Sequence, residues 1–223
     1  LEFRRVLFRS NESESSSRYY IVALVMHDQS IDISQAIASL DRDIASLGVV
    51  KLCFHAAPII RGNGTFEILS AELRRKIFSR MMGFVRKVDF KYHCLCVDKH
   101  YCDSTKQLME RLDRQLRSFL DAAKSTIGGF SKIKVYYDCG QPSITQLLRK
   151  CFDDLGNPCV EFAQSVTPRR YKLFQVADLV CTLRLLEMKL ENEGRLSPIE
   201  FSFFGGIKSF KHNILRRIQS KQI

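Results

Sequence analysis

Apolar positions recur along the chain with two periods, and the two take turns. "RYYIVALVM", residues 18–26, is a β-branched and aromatic run that reads as a strand. In "SIDISQAIASLDRDIASLG" the apolar residues Ile33, Ile37, Leu40, Ile44 and Leu47 fall at three- and four-residue steps, which predicts a helix stopped by Gly48. "VVKLCF" predicts a second strand, ended by His55 and Pro58, and "IIRGNGTF" a loop punctuated by two glycines. "SAELRRKIFSRMMGFVRKV" opens at Ser70 and carries Leu73, Ile77, Met81, Phe84 and Val88 as one stripe, the mark of an amphipathic helix. "DFKYHCLCVDK" alternates as a strand does. The segment from Ser104 carries Leu108, Leu112, Leu116, Phe119 and Ala123 on one helical face and ends at Gly128 and Gly129. Then follow strand "KIKVYY", helix "SITQLLRKCFDDLG", short strand "CVEFAQS", and helix "KLFQVADLVCTLRLLEMKL", which is apolar on more than one face. Strands alternating with helices predict an α/β layer fold with crossover helices.

At 223 residues and 45% hydrophobic content, the chain has the size of one globular domain with a sizeable core. The first ten residues, "LEFRRVLFRS", change that picture locally. "LFRS" is what the end of a common sequencing adapter encodes in frame, so residues 1–10 read as a non-native scar and 11–223 as the domain. Setting aside Arg4, Arg5, Arg9 and Glu2 still leaves the chain basic, out of a formal net charge of +11. A basic surplus points to a polyanionic partner, nucleic acid first, although many basic proteins bind none. The longest apolar run, "YYIVALVM", is far short of the roughly 20 residues of a membrane span, and no secretory leader precedes it. A soluble, cytoplasmic protein is expected. Eight cysteines without paired CxxC spacing read as buried reduced thiols.

Chemistry is sought where charge meets apolar sequence. Asp138 follows "KIKVYY" directly, and the end of a strand covered by crossover helices is where α/β sheets tend to bind ligands. A turn opened toward Gly140 and Pro142, or a cap for the helix near Ser143, accounts for it equally. Asp178 lies among Val176, Ala177, Leu179, Val180 and Cys181, with Gln175 three residues before it on the same helical face. A carboxylate so placed needs a cation, hydrogen-bond donors or a metal, and Arg169, Arg170 or Lys172 are structural candidates for the cation. "HCLCVDKHYC" does not make a zinc site: strand alternation sends Cys94 and Cys96 to one face and His93 to the other. The C-terminal "KSFKHNILRRIQSK" is a basic helix, either docked with a solvated face or part of a nucleic-acid surface.

Taken in order, "NESESSSRYYIVALV", "CFHAAPIIRG", "VYYDCGQPS", "FQVADLVC" and "FFGGIKSFKHNILRRI" resemble the DUF3800 family over roughly residues 11 to 219. The resemblance implies a ribonuclease H-like fold, a three-layer α/β domain with a mixed sheet flanked by helices. It also implies an acidic cluster, which maps onto Glu12, Asp138 and Asp178 as ligands of Mg or Mn. His55 occupies the family's histidine position and would orient water or the leaving group, a packed or hydrogen-bonded structural role being the alternative. From position alone, Gln175 can approach the same target as Asp178, and Ser165 and Lys172, flanking that helix, would touch phosphate or else serve in capping and solvation. Two such ions suit phosphodiester cleavage, with the basic surface holding the backbone. The chain departs from the pattern at Asn11, where the family has aspartate. The expected activity is that of a metal-dependent nuclease. The alternative is a non-catalytic nucleic-acid-binding or interaction module with a degraded acidic site.

Overall fold

The computed structural model of the chain describes residues 2–7, 18–49, 52–137, 141–155, 159–163 and 169–223. Its backbone is organised around β2 (Tyr19–His27), a nine-residue strand buried along its whole length. A strand buried on both faces must be apolar at successive positions, and this one is. Tyr19, Ile21, Ala23 and Val25 enter one core, while Tyr20, Val22, Leu24 and Met26 enter the other. Among the described residues five strands form one sheet in the order β3-β2-β1-β4-β5: β1 (Glu2–Leu7), β3 (Lys91–Asp98), β4 (Lys132–Tyr137) and β5 (Cys159–Phe162) join β2. The three strands β3, β2 and β1 are antiparallel, and β1, β4 and β5 are parallel.

The first core is covered by α1 (Ser34–Ala45), α2 (Ala56–Arg61), α3 (Ala71–Lys87), α7 (Lys172–Glu193) and α8 (Pro198–Phe204). A terminal helix built from α9 (Ile207–Ser209), a π-helical stretch (Phe210–Leu215) and α10 (Arg216–Gln219) closes the same side. The opposite core is covered by α4 (Thr105–Ala122), α5 (Lys124–Gly128) and α6 (Pro142–Asp153). The result is a three-layer α/β domain with a mixed sheet flanked by helices, as the alternating pattern implied. The outer edge of β3 is closed: the Tyr92 N–H donates to the Lys221 carbonyl (3.0 Å), the Ile223 N–H to the Tyr92 carbonyl (3.1 Å), and the Gln115 amide bonds both backbone groups of Cys96 (2.9 and 2.8 Å).

Several local expectations are corrected. The described part of "VVKLCF" joins no ladder; Phe54 is buried as extended chain leading into α2. Pro58, read as a terminator, sits in the first turn of α2, where its missing N–H costs nothing. Helix α8 went unread, although Ser197 and Glu200 form a complete capping box at its start. The stretch read as non-native supplies β1, which pairs with β2 from Glu2↔His27 to Leu7↔Val22 and with β4 from Glu2↔Lys134 to Arg5↔Tyr137. A strand in that slot leaves neither β2 nor β4 with an open edge.

Candidate active site

Helix α7 is the element that positions the site. It is buried nearly all round, so its hydrophobic pattern lacks a polar face, and it packs against both β1 and β2. Near its start Tyr171 stacks obliquely on Tyr136 of β4, with ring centroids 5.0 Å apart. Ten residues on, the Cys181 thiol reaches the Ile21 carbonyl of β2 at 4.0 Å. Asp178 therefore stands on the stretch of α7 that crosses the sheet from β4 toward β2. Because β1 and β4 are parallel, both strands end at the same edge of the sheet.

The Asp178 carboxylate accepts a hydrogen bond from the Ala56 N–H at 2.6 Å. Ala56 is the first residue of α2, whose N-cap, His55, is extended and contributes no side-chain cap. The carboxylate thus satisfies one of the orphan donors of that helix from across the structure. Burial pushes the Asp178 carboxyl above its ordinary range, opposed by this hydrogen bond and by the nearby His55 ring. The residue as a whole keeps a partial opening to the surface. Among the described residues the other carboxylate oxygen has no hydrogen bond and Asp178 makes no ion pair.

Gln175, 1% exposed, directs its side-chain nitrogen to the Cys53 sulfur at 3.9 Å. Both Gln175 and Asp178 therefore meet the 53–56 segment. The Cys53 thiol is itself pushed up, first by burial and then by the Asp178 charge, while Lys172 and Arg169 pull it down. None of the three proposed cations is bonded to Asp178. Lys172 is buried and ion-paired with Asp41 of α1 at 2.6 Å, and the Arg170 guanidinium lies over the Tyr171 ring at 5.7 Å. Sequence reasoning missed the Ala56 N–H and Cys53. The signal available was "CFHAAP", in which Pro58 marks a first helical turn and so a set of free N–H groups.

Glu12, Asp138 and Ser165 lie outside the described residues, as does Asn11. On either side of Asp138, β4 ends at Tyr137, and the Gln141 N–H donates to the Tyr137 hydroxyl at 3.0 Å. The Tyr20 hydroxyl donates to the Gln141 side-chain oxygen at 2.6 Å. Among the described residues no three His, Cys, Asp or Glu side chains come together as a metal site. Asp178 offers the kind of donor a hard cation takes, one carboxylate oxygen with no described hydrogen bond.

The fold defines a three-layer α/β domain with a mixed sheet. No family profile matches the chain, and no curated protein matches it. Among solved structures, a chain in the PCNA:RNase HII complex from Archaeoglobus fulgidus is similar at 15% identity and a TM-score of 0.37, over 100% of this chain and 89% of that one. A likeness that remote bears on no residue of the site. Among the described residues no helix is long and apolar enough to cross a membrane.

Proposed function

We propose that this chain is a DUF3800-like domain that processes phosphodiesters with Mg or Mn, held by Glu12, Asp138 and Asp178. Residues 11–223 are the functional domain in this reading, and Glu2–Leu7 of the stretch before it stands in the first-strand slot. The observation that carries the proposal is Asp178. A carboxylate buried on a core helix, without a cation partner among the described residues, is costly to keep ionised. A fold retains such a group against its own stability when a ligand supplies the missing charge, and perturbed groups of this kind gather at functional sites. The bound metal would polarise the phosphoryl group and bring water into line with it. His55, adjacent to Asp178, would orient that water or the leaving group, while Gln175 and Ser165 would contact substrate. Lys172, held by Asp41, would act through its field on the phosphate.

A second reading rests on Asn11. An amide where the family pattern has a carboxylate weakens the ligand set and favours a nucleic-acid-binding module with a degraded site. Cleavage of labelled DNA and RNA in Mg or Mn separates the two. Activity in the chain, or in Asn11→Asp, that is lost in both Asp138→Asn and Asp178→Asn supports the enzyme. The enzyme reading fails if neither the chain nor Asn11→Asp cleaves any substrate, or if either carboxamide variant cleaves as well as its parent.

A further inference from the structure

A groove of about 460 Å³ runs between α1, α3 and the terminal helix, on the far side of α1 from the pair formed by Asp41 and Lys172. Its cations are Arg75, Arg80, Arg86, Lys87 and Arg217, against a single carboxylate, Asp43. Arg75 is committed to structure, donating to the Phe203 and Ser202 carbonyls of α8 at 3.1 and 2.9 Å. The other four are exposed, and their side chains have no ion pair or hydrogen bond among the described residues. Elsewhere, many cations are matched: Lys76 with Glu72, Arg117 with Asp113 and Asp154, Lys132 with Glu161, Arg184 with Glu187. Arg86 and Lys87 also complement the dipole at the end of α3, but that does not account for Arg80 or Arg217.

Gly83 is the independent observation. It lies in the interior of α3 and lines the groove, three residues after Arg80 and four before Lys87. Glycine in a helix interior lowers stability relative to alanine. No packing requires it here, since a Cβ built at Gly83 meets nothing within 4 Å. A bare backbone between two cations admits a ligand close to the helix. The remaining polar lining includes the Ser39 and Ser79 hydroxyls and Asn213, which donate or accept, and Asp43, which only accepts. The surplus of unpaired cations over that one carboxylate suits a polyanionic partner. Arg80 and Lys87 are also seven residues apart, about 10 Å along a helix axis, a span wider than one phosphate.

We infer that this groove anchors the phosphodiester backbone of a nucleic acid, independently of sequence and across α1 from the Asp41–Lys172 pair. The repeating charge of a phosphodiester backbone matches the row of cations that runs about 10 Å from Arg80 to Lys87, and a concave site fits a strand better than a flat membrane surface. The inference deepens the proposed function and takes from it only the choice of polyanion.

The test is fluorescence anisotropy with a labelled single strand of about 16 nucleotides, in EDTA so that no metal-dependent step contributes. The quadruple variant Arg80→Gln, Arg86→Gln, Lys87→Gln, Arg217→Gln is compared with Lys106→Gln, Arg114→Gln, Lys124→Gln, Lys150→Gln, which removes equal charge from the opposite side of the sheet. The groove variant should lose about ten-fold or more in affinity, and its salt slope should fall by roughly 0.7 for each phosphate it no longer neutralises. The control should lose much less, and Gly83→Leu should weaken binding with no change of charge. Thermal melts establish that each variant is folded, with the single changes Arg80→Gln and Arg217→Gln read if the quadruple is not. Equal losses in groove and control variants, absence of binding by the parent chain, or displacement of the strand by polyglutamate or anionic vesicles at lower charge concentration than by competitor DNA overturns the inference. Groove-dependent binding without cleavage in Mg leaves it standing while the nuclease reading falls. Cleavage with unchanged binding in the groove variant has the reverse meaning.

Discussion

Replacing Asp178 with asparagine tests the central premise without any substrate. The Ala56 N–H donates to one carboxylate oxygen at 2.6 Å, and an asparagine carbonyl in the same position accepts that bond. The variant thus removes the buried charge and keeps the hydrogen bond. Alanine removes both, and orphaning a buried N–H costs about 1–3 kcal/mol, a drop of about 2–4 °C in Tm for each kcal/mol in a domain of this size. The folded-state value of Asp178 is raised, first by burial, so the fold prefers the protonated acid. Its stabilising contribution is complete below the ordinary carboxylate value of about 3.9 and is lost as pH rises through the folded value. In chelator, Asp178→Asn should therefore melt with the wild type near pH 4 and above it at pH 8, with Asp178→Ala below Asp178→Asn throughout. Magnesium at ten times its dissociation constant should add about 1.4 kcal/mol to the wild type and nothing to Asp178→Asn. The assay is differential scanning calorimetry across pH, with and without the metal. If Asp178→Asn melts below the wild type at pH 8 in chelator, the carboxylate is a net stabilising charge and the premise is wrong.

Two further outcomes follow from the same geometry. Among the described thiols Cys159 is exposed, whereas Cys151 is buried and pushed up to about 12, first by burial and then by Asp113, and burial also raises Cys94. In the native state at pH 8, a mass-resolved thiol-labelling time course should modify Cys159 well before Cys94, Cys151 or Cys181; early labelling of Cys94 would contradict its burial. Gly83→Ala should stabilise the domain by about 0.5–1 kcal/mol, read as a rise in Tm, because its methyl enters open space; a fall in Tm would mean that the groove wall closes on that residue.

The elements were legible wherever one face of a segment answers to one core. The stripe Leu73, Ile77, Met81 and Phe84 became the buried side of α3, and "YYIVALVM" became a strand whose alternate residues serve two cores. Legibility failed where local sequence carries two signals. "VVKLCF" has the β-branched composition of a strand, but Phe54 is buried beside the Phe78 ring of α3, and Pro58 is as good an opening residue for a helix as a closing one for a strand. Among the described cysteines Cys151 and Cys181 are buried and four are half-buried, whereas Cys159 is exposed on the last strand of the sheet, where one flank has no neighbour among the described strands.

The site was legible in kind but not in its contacts. An aspartate within "VADLVC" declares itself because every neighbour is apolar, and that is a local property. Its partner is not: Ala56 is 122 residues away, and what it offers is a backbone N–H, which no side-chain pattern encodes. Reasoning from side chains sent the charge toward Arg169, Arg170 or Lys172, the nearest cations in sequence, whereas the fold spends Lys172 on Asp41. That ion pair also ties the buried carboxylate's helix to the groove. Asp41 faces the α7 side of α1, and Ser39, Leu40 and Asp43 of the same helix line the cationic groove. Helix α1 thus joins the groove to the start of α7, six residues before Asp178.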